Sequence, residues 1–117
     1  MLKKNYEFKY VLSNGKKFYG NQLISFILPN KKNLNLLGIA INTKSGSAVE
    51  RNYYKRIIRE NYKDVENYIK KGYSIVFTLR KSVNREKVNF ELIKKDMYNI
   101  FKLSKLLEMD YNEKNNY

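Results

Sequence analysis

Apolar and polar positions change their period several times along this chain, and each change marks an element. Asn5 is suited to cap a short helix with Glu7 in its first turn, and Asn14-Gly15 is a stop signal, which predicts a helix from about Tyr6 to Ser13. From Lys17 to Leu28, KFYGNQLISFIL alternates loosely and is rich in β-forming residues, with a bend at Gly20-Asn21 and an end at Pro29-Asn30. That reads as one bent strand or two short ones. A second apolar run, Leu34 to Asn42, is too short for a typical helix and holds Gly38, so the two runs are expected to pair as antiparallel neighbours. Gly46 marks the next turn, and Ser47 with Glu50 forms the S-x-x-E pattern that starts a helix at Ala48, running to Tyr62 or beyond. Gly72 breaks the chain before a strand from Tyr73 to Arg80. After the polar connection KSVNREKV, Asn89 caps a last helix from Phe90 to about Leu107, whose apolar residues include Ile93, Met97, Ile100, Phe101 and Leu103. Residues 108–117 are polar and read as a frayed tail. With no repeat and no linker, residues 1–117 form one α+β domain, helices packed on a single mixed sheet.

Composition narrows what such a domain is for. Hydrophobic residues make up 43%, enough for a packed core in 117 residues. Lys and Arg outnumber Asp and Glu by 24 to 11, a formal charge of +13. That excess exceeds what solubility requires and implies a polyanionic partner. There is no Cys, which excludes disulfides and thiolate metal sites and fits a cytoplasmic location. The N-terminus lacks a signal-peptide apolar run, and no apolar stretch approaches the roughly 18 residues of a membrane span. Asn, Lys, Ile and Tyr are abundant throughout, so the placement of a cation says more than its presence.

Placement singles out the helix that starts at Ala48. At about 100° per residue, Arg51, Lys55, Arg56, Arg59 and Lys63 fall within an arc of about 140°, which also holds Asn52. Tyr54, Ile57, Ile58 and Val65 form the opposite, core-facing stripe, with Tyr53 beyond its margin. A charge run is commonly just a solvated face. Here only Glu66 shares the arc, while Glu50 and Glu60 point elsewhere on the wheel, so the cations repel one another unless a polyanion compensates them.

A protein nuclease needs a general base, a nucleophile or a carboxylate cluster holding metal ions. This chain has no His and no Cys, and its eleven carboxylates are scattered, so no catalytic residue is expected in the protein itself.

The stretch SGSAVERNYYKRIIRENY resembles the signature of the bacterial ribonuclease P protein family: a Lys-rich turn, Gly-x-Ala-Val-x-Arg-Asn-Arg, then Lys-Arg-x-x-Arg. The matching residues are Lys44, Gly46, Ala48, Val49, Arg51, Asn52, Lys55, Arg56 and Arg59. LKKNYEFKYVLSNGKK is similar to the family's opening helix, LLGIAI to its Leu-Gly-Ile-Ser-Val strand, and GYSIVFTLR to its Gly-Tyr-Asp-Ile-Val strand. Two positions depart from the pattern: Tyr53 replaces the second Arg of Arg-Asn-Arg, and Thr43 replaces the first Lys of the turn. Each removes a cation, although Tyr53 offers a ring that can stack on a base or ribose.

The resemblance implies a four-stranded mixed sheet flanked by three helices, with a left-handed βαβ crossover between Leu36 and Arg80 where general rules favour a right-handed one. It implies a protein, monomeric when free, that assists the catalytic RNA of ribonuclease P in magnesium-dependent removal of the 5′ leader of precursor tRNA, the Mg2+ being held mainly by the RNA. Lys44, Arg51, Asn52, Tyr53, Lys55, Arg56, Arg59 and Lys63 would face the RNA subunit. Phe8, Leu12, Phe26 and Lys44 would line a cleft for the leader, Leu12 standing where the family often has an aromatic. Core packing is an equal expectation for Phe8 and Phe26. The rival readings are a structural ribosomal RNA-binding protein, which would not be expected to carry the ordered signature, and a basic helix on a membrane surface, which would need the apolar stripe the core already uses.

Overall fold

A computed structural model describes residues 1–81 and 88–108. Most of the polar connection after β4 and nearly all of the tail lie outside the described residues. The elements are α1 (Asn5–Asn14), β1 (Lys16–Tyr19), β2 (Leu23–Pro29), β3 (Leu36–Ile39), α2 (Ala48–Val65), β4 (Tyr73–Leu79) and α3 (Phe90–Leu103), with short 3-10 turns at Thr43–Ser45 and Glu66–Tyr68. The α+β class, the three helices and the mixed four-stranded sheet are as expected. Asn5 lies inside α1 and Lys4 takes the cap position. The first turn is closed by Glu7, whose carboxylate accepts from the backbone N–H groups of Lys4 (3.0 Å) and Lys3 (3.3 Å). These two bonds, ahead of the nearby Lys32 and Lys4 charges, hold the Glu7 carboxyl below its ordinary pKa.

The sheet order is β1-β2-β4-β3. β1 and β2 form the antiparallel hairpin, turning where Gly20-Asn21 predicts a bend. The second apolar run does not pair with the first. β4 lies between them, antiparallel to β2 and parallel to β3, with Ile27 and Leu37 both opposite Ile75. β3, α2 and β4 therefore make the βαβ unit. The physical reason is burial: β4 is apolar on both faces, with Ile75, Val76 and Phe77 all 0% exposed, and belongs in the centre of the sheet.

Each face of the sheet has its own apolar cluster. Leu23, Ile27, Leu37, Ile75, Phe77 and Leu79 pack beneath α2 and α3. Tyr62, Phe77 and Phe101 meet there as tilted and edge-on aromatic pairs, with centroids 6.0–6.4 Å apart. On the other face, Phe26 and Val76 are covered by Leu2 and Val11, with Phe8 and Leu12 packed alongside. Gly38 lets the Phe8 ring approach the strand closely there, since a Cβ would lie 2.7 Å from that ring. α3 is tied to the hairpin by Asp96, a buried carboxylate that accepts from the N–H groups of Asn21, Gln22 and Leu23 at 3.0, 2.6 and 3.0 Å.

Burial, with Glu66 nearby, pushes the Tyr62 hydroxyl up to about 12, against a smaller opposing contribution from its hydrogen bond with Asn35. Below about pH 10 both the folded and unfolded chains carry it neutral, and its contribution to stability is fully present. Between about pH 10 and 12 only the unfolded chain ionises, so stability falls as pH rises, by on the order of 2–3 kcal/mol. Tyr62→Phe is expected to flatten this alkaline limb in denaturant titrations compared across that window. An unchanged limb would remove Tyr62 as its source.

Candidate nucleic-acid interface

The turn entering α2 is held by short-range bonds. The Asn42 side chain accepts from the Lys44 N–H at 2.8 Å, and the Asn42 carbonyl accepts from the Ser45 N–H at 2.9 Å. Gly46 follows at φ 153°, a conformation side chains rarely adopt, and a Cβ there would sit 2.9 Å from the Glu50 carboxylate. The expected capping box is present, with the Ser47 N–H donating to Glu50 Oε1 at 2.9 Å and the Glu50 N–H to Ser47 Oγ at 3.2 Å. Lys44 and the first turn of α2 are thus fixed relative to each other.

Along α2 the expected core stripe is buried: Tyr54, Ile57, Ile58 and Val65, together with Asn61 and Tyr62. Asn61 donates to the carbonyls of Ile57 (3.0 Å) and Phe90 (3.1 Å), anchoring α3 beside it. Asn52, Arg56, Arg59 and Lys63 are exposed, and Arg51 and Lys55 are half-buried. Arg51 Nε is buried without a hydrogen-bond partner among the described residues. Tyr53 is 39% exposed, with the Arg56 guanidinium 5.5 Å over its ring, so the residue that departs from the family pattern forms a stacked pair beside the cations. Arg56 also meets Glu60, its i+4 neighbour, so Glu60 is not turned away from the cations as the wheel reading had it. The contact is long, 4.0 Å between Nε and Oε1, with both side chains more than half exposed. Such a pair contributes at most about 1 kcal/mol, so the face remains strongly cationic.

Phe8, Leu12 and Phe26 come together in the cluster beneath α1, but to different depths. Phe26 is 7% exposed and Lys17 Nζ lies 5.4 Å over its ring, whereas Phe8 and Leu12 are half-buried at the cluster's margin. Lys44 is not among them. It lines an adjoining cleft of about 520 Å³ with Asn42, Ser45, Ile24, Thr78 and Arg80. Ile24 joins the two, since it packs against the Phe26 cluster and also lines the cleft. Arg80 was not singled out by sequence reasoning. It donates from Nη1 to the Gly20 carbonyl at 3.1 Å and places its guanidinium 5.4 Å over the Tyr19 ring. The one available signal was a cation at the end of an apolar strand.

Among the described residues no three His, Cys, Asp or Glu side chains converge as metal ligands, and no helix is long and apolar enough to cross a membrane.

Comparison with known proteins agrees with this geometry. Residues 1–105 match the family described as Ribonuclease P. The chain is 41% identical over 85 residues to the ribonuclease P protein component of Clostridium kluyveri, covering 71% of this chain and 76% of that protein. It is 37% identical over 102 residues to that of Clostridioides difficile, covering 86% and 88%. Among solved structures, the ribonuclease P proteins of Thermotoga maritima and Staphylococcus aureus superpose with TM-scores of 0.80 and 0.79, each at 28% identity. They cover 87% and 92% of this chain, and 97% and 96% of their own. The chain therefore belongs to the bacterial ribonuclease P protein family, the protein component of a ribonucleoprotein endoribonuclease that processes tRNA.

Proposed function

We propose that the cationic face of α2 binds the catalytic RNA of ribonuclease P while the cleft between α1 and the sheet receives the single-stranded 5′ leader of precursor tRNA. One observation supports this reading: Lys44 lies in the turn that starts the cationic helix and lines a cleft beside the sheet, which Ile24 joins to the Phe26 cluster beneath α1. Two RNAs held on these adjoining surfaces would meet at a place where protein cations offset the repulsion between their phosphates. Lys44, Arg51, Asn52, Tyr53, Lys55, Arg56, Arg59 and Lys63 are assigned to the RNA subunit. Arg51 is half-buried on this same face, and charge-assisted hydrogen bonds from its guanidinium to phosphate oxygens belong to this reading. Phe8, Leu12, Phe26 and Lys44 are assigned to the leader, with Ile24 and Arg80 added from the geometry of the cleft. Half-buried aromatic and aliphatic surface beside cations suits a strand of variable sequence.

The protein's side chains do not converge on a metal site among the described residues, so magnesium in this reading is held by the RNA and supplies the hydrolytic chemistry there. The protein positions and neutralises. Accordingly, nucleic-acid-free protein is expected to leave precursor tRNA intact at any magnesium concentration, and cleavage should appear when the catalytic RNA is added. Robust cleavage by the protein alone would overturn the reading.

A further inference from the structure

Asp96 is a carboxylate in a place an apolar side chain could fill. It lies on α3, 3% exposed, against the turn between β1 and β2, where burying a charge costs stability unless hydrogen bonds replace the lost water. Three do: the N–H groups of Asn21, Gln22 and Leu23 reach its two oxygens at 3.0, 2.6 and 3.0 Å. The turn also closes on a bond of its own, from the Gly20 N–H to the Leu23 carbonyl at 2.7 Å. What the carboxylate adds is a fixed position for the turn against α3. The fit is close from the hairpin side too, because a Cβ on Gly20 would lie 2.8 Å from the Asp96 carboxylate carbon.

The same turn holds Arg80. The Arg80 N–H donates to the Gln22 carbonyl at 2.8 Å, Nη1 donates to the Gly20 carbonyl at 3.1 Å, and the guanidinium lies 5.4 Å over the Tyr19 ring. These three partners fall within residues 19–22, the stretch whose far end Asp96 grips. From there Arg80 lines the cleft with Lys44 and Ile24. A free arginine side chain loses rotamer entropy when it meets a phosphate, whereas one already stacked and hydrogen-bonded loses less.

We propose that Asp96 is a positioning residue for the substrate: by fixing the β1–β2 turn from α3, it holds the Arg80 guanidinium in place for a leader phosphate at the cleft, while itself touching no RNA. The proposal rests on the leader reading above and concerns what organises that site rather than what occupies it.

The test is a double-mutant cycle on holoenzyme reconstituted with wild-type protein, Asp96→Asn, Arg80→Ala or both. It reads the ratio of precursor to mature tRNA affinity at a temperature where circular dichroism shows every variant folded. Asp96→Asn keeps the size of the side chain but turns an NH2 group toward at least one of the three N–H donors, so it should lower the melting temperature, as any structural role would. Beyond that, it should reduce the affinity ratio about 2-fold to 10-fold, the cost of ordering one long side chain. Arg80→Ala should reduce the ratio about 10-fold to 100-fold by removing the charged contact itself, and Asp96→Asn should cause no further reduction in that background. Gly20→Ala presses on the same contact from the hairpin and leaves the carboxylate in place. It should repeat the pattern of Asp96→Asn, and it decides the matter if Asp96→Asn does not fold. A wild-type ratio in Asp96→Asn and Gly20→Ala would leave Asp96 a purely structural role and overturn the proposal. So would equal losses for precursor and mature tRNA, a loss that persists in full without the Arg80 side chain, or a wild-type ratio in Arg80→Ala. Failure of the leader reading looks different, since wild-type holoenzyme would then bind precursor and mature tRNA equally.

Discussion

Phe26→Ala is expected to lower stability by about 3–5 kcal/mol, because the ring is buried between Val11, Val76 and Leu2 and its removal leaves a void that the sheet beneath and α1 above cannot both close. For a domain of this size, that is a fall in melting temperature on the order of 10–20 °C. The size of the effect would mask any role of the ring toward RNA. Phe26→Leu separates the two, as it keeps most of the apolar volume and removes the aromatic face. It should melt close to the wild type, and if the ring contributes to the leader cleft it should weaken precursor tRNA binding while sparing mature tRNA. A leucine variant that binds both as the wild type does would make Phe26 purely a core residue, leaving the cleft to Phe8, Leu12, Ile24 and the cations. An alanine variant as stable as the wild type would contradict the packing itself.

Arg51→Ala combined with Arg56→Ala is expected to weaken binding to the catalytic RNA by about 1–3 kcal/mol for each charge-assisted hydrogen bond to phosphate that is removed, and to make binding less dependent on salt. The two residues differ in setting. Arg51 is half-buried with Nε unpartnered among the described residues, whereas Arg56 is exposed, lies over Tyr53 and meets Glu60 only at 4.0 Å. Neither packs in the core, so the double variant should fold normally. An unchanged salt slope would return this face of α2 to plain solvation.

The features legible in the sequence were those set by neighbours along the chain. The Ser47–Glu50 box fixes the start of α2, and Asn89 caps α3 through its bond to the Leu92 N–H at 3.0 Å. The apolar stripe of α2 likewise follows from helical spacing alone. What escaped was set by packing between distant parts of the chain. The run from Leu34 to Asn42 looked like a hairpin partner for the run before it, yet β4, more than thirty residues later, takes the place between them. Nothing near Leu36 signals that, because strand order is decided by which strand can be buried on both faces. Asp96 is one of the eleven scattered carboxylates of the sequence, and only the fold brings it to the hairpin turn some 75 residues earlier. The candidate site divides in the same way. The cationic face was legible from helix geometry, while the cleft beside it depends on where β4 ends and which side chains α1 leaves uncovered.

The central claim is that this protein holds the leader while the RNA cuts, and the most direct measurement is the affinity of precursor and mature tRNA for the catalytic RNA with and without the protein. Added protein is predicted to strengthen precursor binding well beyond mature tRNA binding, and Lys44→Ala is predicted to shrink that difference. Equal strengthening of both tRNAs, or none of either, would contradict the account.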